Sequence, residues 1–171
     1  MRHAVFGIAA AAATALVLAA PAGAVSSSET FNGVIVASGA SGTRTVVSSV
    51  VVARGSFSGA GRIVELPDLP TDPPNFSRDD LVFAQGAMHL ISETVDASFS
   101  IDPHTCVFDA TLAQTSTIAG GTGMFAHASG TGTATVRAHG IAARDPDGSC
   151  SEDKDALLDV DGISSTVKLS F

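Results

Sequence analysis

Four polar residues stand inside or at the ends of apolar runs, where a titratable or hydrogen-bonding group could meet a lipophilic molecule: Arg54, Glu65, Gln85 and His89. Read along a strand over residues 81–91, His89 shares a face with Phe83, Ala87 and Ile91, and Gln85 lies on that same face. Arg54 closes one valine-rich run and Glu65 stands near the end of a shorter one. A few polar groups converging in an apolar pocket are what a general acid/base or ligand-orienting site requires. The plainer alternative leaves His89 in solvent or satisfied in a core, Arg54 ending its strand in water and Glu65 on an outer face.

Other constellations lack the context their chemistry needs. Gly121, Gly123 and Ala126 fit a loose dinucleotide fingerprint, but residues 130–136 read as a strand where a helix must follow. The Gly55-to-Gly59 stretch has Phe57 where a nucleophile elbow would carry serine, and no H-E-x-x-H occurs. Asp159-Val160-Asp161-Gly162 matches part of a calcium loop, with Leu157 at the first ligand position and no closing glutamate. That leaves a weak surface calcium site of Asp153, Asp155, Asp159 and Asp161 against a solvated acidic face, and the acidic face is the expectation. His104, His127 and His139 have no metal spacing. No metal and no cofactor are expected. Cys106 and Cys150 are the two cysteines, and an isolated pair in an oxidising compartment reads as a disulfide.

The compartment follows from the first residues. Arg2 and His3 precede an apolar run over residues 4–18; Pro21 and the small residues Ala22, Gly23 and Ala24 come next. This is the pattern of a secretory signal peptide over residues 1–24, cleaved before Val25. The apolar run is shorter than the roughly 20 residues that span a bilayer, so no membrane span is expected and the product is placed outside the cell. With 171 residues the chain suits one domain. A net charge of −8, with no Trp and no Tyr, argues against a nucleic-acid partner.

The elements that must position these residues are strands. Residues 25–30 read as a loose, flexible tail, and residues 31–171 as a single β domain. Runs rich in Val, Thr, Ser and Ala cover residues 31–38, 43–54, 62–66, 81–91, 95–101, 105–118 and 163–171. Residues 95–101 and 163–171 alternate with a period of two, which predicts one buried and one wet face. Residues 55–61 read as a turn. Residues 67–79, with four prolines, and 144–155, with five acidic residues, read as loops. Residues 156–160 suit a helical turn at most. About eight strands at hairpin spacing predict a closed antiparallel barrel or a sandwich.

The most distinctive segment is Gly120-Gly121-Thr122-Gly123-Met124-Phe125, followed by Ala126 and Gly130. This GGTG-x-F turn resembles the signature of allene oxide cyclase and dirigent-like barrels, and more nearly that of small secreted actinobacterial proteins sharing it. The order of a G-x-F-x-G turn at Gly55, an Asp80-Leu81-Val82-Phe83 strand and then the GGTG turn is similar too. The resemblance implies an all-β, closed antiparallel barrel of about eight strands with an apolar interior. It also implies a homo-oligomer, a trimer in the plant relatives. Gly120, Gly121, Gly123 and Phe125 are then a structural turn and plug. The acidic residues and arginine that the plant dirigent cavities use have no residue-by-residue match in this chain. Three functions stand: a secreted barrel binding a lipophilic small molecule, a cyclase or isomerase working inside the barrel, and a packed structural or interaction protein of the cell envelope. The sizes of the inward side chains discriminate them.

Overall fold

The computed structural model describes residues 27–40 and 42–170. The leader reading falls on residues 1–24, outside the described residues. Eight strands form one closed antiparallel barrel in chain order: β1 (Ser27–Ser38), β2 (Thr45–Arg54), β3 (Ser58–Leu66), β4 (Phe76–Phe83), β5 (Gly86–Ile101), β6 (Val107–Gly121), β7 (Ser129–Ile141) and β8 (Leu158–Ser170). Each strand pairs with its sequence neighbour, and β1 pairs with β8 to close the cylinder. One 3₁₀ turn, Gly123–Phe125, is the only helix among the described residues.

Several boundaries move from those the sequence suggested, each for a local reason. β1 begins at Ser27, so residues 27–30 are strand rather than tail, because β8 pairs with all four and β2 with Thr30. Residues 58–61 are strand rather than turn. Gly59 and Gly61 lie extended in β3, where a Cβ on Gly61 would stand 2.8 Å from the Phe83 ring. The run 81–91 is not one strand but a hairpin, folded between Phe83 and Gly86. Gly86 has φ of +143° with Thr122 O pressed against it, a position closed to a side chain. Residues 76–79 belong to β4, not to the proline loop, which ends at residue 75. Residues 156–160 form no helical turn, since β8 starts at Leu158. The run 95–101 is strand, yet Val95 and Phe99 are 58% and 54% exposed. The expected buried face is missing because the β5–β6 hairpin projects past β4, whose last pair with β5 is Phe76 with Glu93.

The two ends of the barrel differ. At one end the β2–β3, β4–β5 and β6–β7 connections meet over a phenylalanine cluster. Phe57 lies 5.0 Å from Phe125 and 5.1 Å from Phe83, ring centre to ring centre, and Phe31 adjoins at 6.5 Å. Met88, Ile118, Val167 and Leu169 fill the space between, all at most 2% exposed. Aromatic edge-to-face contacts of this kind add to the free energy of burial. Glu29, fully buried, ties down the β2–β3 turn by accepting hydrogen bonds from Ser56 Oγ and the Phe57 N–H.

At the other end the long β7–β8 connection, residues 142–157, folds over the rim. The Cys106–Cys150 disulfide, with Cα atoms 5.3 Å apart, fastens it to the β5–β6 turn. Arg144 adds two 2.6 Å hydrogen bonds, to Gly148 O and His104 O. Cys106 has φ of +59°, rare for a residue other than glycine, and its turn is held by its N–H to Asp102 O at 2.8 Å. In the chain-entropy description, closing 44 residues with one bond stabilises the fold by about 4 kcal/mol. Replacing both cysteines by serine should lower unfolding free energy in urea by about that amount and steepen the slope, because the unlinked unfolded chain exposes more surface. A loss under 1 kcal/mol would show that Arg144 and its partners hold the loop without the sulfur link.

Candidate functional site

The inward residues of each strand decide whether the bore is filled. Phe31, Phe83 and Phe125 crowd the closed end, whereas Phe99 and Phe108 stack on each other on the projecting hairpin, 5.8 Å apart. Between them the inward positions are small or medium: Gly33 on β1, Val51 on β2, Ala134 and Val136 on β7. A cavity of about 320 Å³ remains, at the small end of ligand-pocket sizes. Ile63, Leu81, Leu90, Leu112 and Ile163 complete its apolar wall. The polar wall groups are largely satisfied among themselves: Ser92 Oγ and Ser116 Oγ are 3.1 Å apart, and Gln114 Nε2 donates to Thr94 Oγ1 at 3.2 Å.

The mouth is acidic. Glu65 (β3), Asp79 (β4) and Asp161 (β8) line it, with Asp159 one inward position beyond Asp161. Arg44, in the β1–β2 connection, lies across the rim and joins β8 to β3. Its Nη2 contacts Asp159 and Asp161 at 3.0 and 2.8 Å, and its Nη1 contacts Glu65. Its backbone N–H donates to Asp155 Oδ2 at 2.7 Å. Burial works against the charge of Arg44, but the carboxylates of Glu65 and Asp159 outweigh it and hold the guanidinium above its usual range.

Three carboxyl groups thus share one guanidinium, a fourth, Asp79, stands near it without contact, and two of the four respond. Burial, then the neighbouring Glu65, push Asp79 up to about 6; Arg44 only partly opposes this. Burial and the adjacent Asp159 push Asp161 to about 6 as well. No hydrogen bond reaches the Asp79 carboxyl from the described residues. Asp159 keeps Oδ1 buried without a partner among them. The second arginine at the mouth, Arg78, is spent on Asp72 through two bonds of 2.6 and 2.7 Å, and that pairing holds Asp72 down at about 2.

Of the four polar residues singled out in the sequence, the structure brings only Glu65 to the cavity. Arg54 is exposed at the opposite, closed end, where its carbonyl accepts from Thr30 Oγ1. Gln85 is exposed in the β4–β5 turn, and its carbonyl accepts the Met124 N–H. His89 lies on the outer face with Nδ1 2.6 Å from Asp80 Oδ1, because the two-residue turn between Phe83 and Gly86 swaps the faces, so that Phe83 and Leu81 pair with Gly86 and Met88 on the inner one. In the GGTG turn, Gly120 and Gly123 have positive φ, a Cβ on Gly121 would collide with Ala87 O, and Phe125 is wholly buried. Asp159 and Asp161 turn into the mouth rather than joining Asp153 on an acidic surface, and no metal-holding group occurs among the described residues.

Arg44, Asp79 and the inward role of Asp159 and Asp161 escaped sequence reasoning. A signal existed: counting back by twos from Leu169, Val167 and Ile163 reaches Asp161 and Asp159, and from Phe83 and Leu81 reaches Asp79. Comparisons with family models, curated proteins and solved structures gave no match.

A carboxyl held near 6 in the folded state and near its ordinary value when unfolded binds more protons when native between those values. Stability therefore falls as pH rises through about 4 to 6 and levels off above. Asp161, raised likewise, adds a second such fall, and Asp79→Asn removes the share that belongs to Asp79. It should stabilise the barrel by roughly 1–3 kcal/mol at pH 7.5 and leave it unchanged at pH 4, as read from urea unfolding at both pH values. A destabilised variant at pH 7.5 would mean that the carboxylate is favourably engaged.

Proposed function

We propose that this barrel binds a small lipophilic molecule in its half-open interior and works outside the cytoplasm. The observation that carries the reading is the unfilled apolar chamber of about 320 Å³, walled by leucine, isoleucine and valine and closed below by phenylalanine. A barrel selected only for rigidity gains nothing from leaving that volume empty, since each lost contact costs stability. The disulfide suits an oxidising compartment, and the leader-like first residues point the same way. The GGTG-x-F turn, set in a closed eight-stranded barrel, supports kinship with the allene oxide cyclase and dirigent-like barrels.

A second reading, a cyclase or isomerase of that shape, is favoured by one specific observation. Asp79 and Asp161 border the chamber with affinities for the proton near 6, so either carries a proton to a bound substrate in mildly acidic solution. Shape and positioning would supply the remainder of the catalysis. For any ligand that is converted, the rate should fall as pH rises through 6 and should lose that pH dependence when Asp79 and Asp161 are both replaced by Asn.

Binding is tested with N-phenyl-1-naphthylamine, an apolar dye that is neutral at pH 7 and brightens in dry cavities. The unaltered protein should enhance its emission saturably. Ala134→Phe, which places a ring in the chamber, should weaken binding at least tenfold, or about 1.4 kcal/mol, with the barrel still folded by circular dichroism. Ser165→Phe fills the same space from β8 and serves if Ala134→Phe does not fold. Equal binding by unaltered and filled proteins would remove the chamber as the site.

A further inference from the structure

The charges at the mouth narrow the class of ligand. Every hydrogen-bonding edge of Arg44 is taken by Glu65, Asp159 and Asp161, and Arg78 is turned away to Asp72. An anionic head group would meet only carboxylates there, with both nearby guanidinium groups already engaged. Asp79 is half-buried, faces Glu65 across the β3–β4 pair and has no hydrogen bond and no cation in contact; a neutral head group could donate a hydrogen bond to it but would leave its charge unbalanced. A cation is the group this carboxyl lacks. Directly below it Leu81 and Ile63 begin the apolar wall, so the cation must be attached to a hydrocarbon body.

We propose that the chamber takes a lipophilic amine, its hydrocarbon part buried against the leucine and isoleucine wall and its ammonium paired with Asp79 at the mouth. This rests on the cavity-binding reading and adds the chemical class of the ligand. In the empty protein a proton occupies the place of the missing cation below pH 6; the ammonium exchanges with it. Glu65 on β3, Asp161 on β8 and Asp80 beside it add to the negative field around Asp79, and Arg44 from the β1–β2 connection partly offsets it. Amine binding therefore releases a proton at mildly acidic pH and weakens as pH falls.

The test uses three rigid probes of one shape: 1-aminoadamantane, 1-adamantanol and 1-adamantanecarboxylate. Each is titrated by calorimetry at pH 7.5 and 0.15 M salt into the unaltered protein, Asp79→Asn and Asp80→Asn. Asp80→Asn removes the same charge from the outer face, where Asp80 meets His89. The amine should bind about tenfold or more tighter than the alcohol, and the carboxylate weakest of all. That preference should vanish in Asp79→Asn and persist in Asp80→Asn, while the alcohol binds all three proteins alike. In the unaltered protein, lowering pH from 7.5 to 5 should weaken the amine about tenfold and leave the alcohol unchanged, a check that needs no variant to fold. Equal affinity for amine and alcohol would overturn the inference and leave the cavity reading intact. A preference that survives in Asp79→Asn would overturn it too. Failure of all three probes to bind would remove the cavity reading itself.

Discussion

An eight-stranded barrel has a bore that its own side chains can just fill, so the sizes of the inward residues govern everything else about the molecule. Here they are distributed unevenly along the axis. Four phenylalanines and Met88 solidify one end, and Gly33, Ala134 and Val136 leave the middle open. The closed end supplies the cooperative core. The open half then needs little of its own packing and accommodates serines at the wall, where Ser92 and Ser116 hydrogen-bond to each other.

The rim solves a different problem. Three strands bring carboxyl groups to the same opening, and like charges in a partly dry place repel. Arg44 answers most of that repulsion by spanning from β8 to β3, and it sits where it does because its backbone is fastened to Asp155 in the disulfide-pinned connection. The sulfur link, the long loop, the guanidinium and the acidic rim form one chain of dependence. Asp79 lies outside that chain's reach. It is the place where the surplus of negative charge shows, as a carboxyl that keeps its proton to about pH 6.

The barrel itself was legible in the sequence because β-branched runs and turn residues act locally, and the Cys106–Cys150 pairing followed from there being two cysteines. The face assignments were less legible. A period of two tells which residues share a face only while the strand is continuous, and the Phe83–Gly86 fold breaks it. His89 and Gln85 therefore left the interior. Within unbroken β8 the same counting does lead to Asp161 and Asp159, but inward acids contradict the usual rule that charges face water, so the rule hid them. Arg44 could not be read at all. Its role depends on residues 21, 115 and 117 positions away in the chain, brought together only by closure.

The measurement that bears most directly on the acid-rimmed chamber is the titration of individual carboxyl carbons by NMR in protein labelled with ¹³C-aspartate. Asp79 should titrate with a midpoint near 6, and filling the chamber with an ammonium ligand should pull that midpoint down. A midpoint near 4, unmoved by such a ligand, would mean that the carboxyl stands in water and that the mouth is not the dry, cation-seeking opening described above.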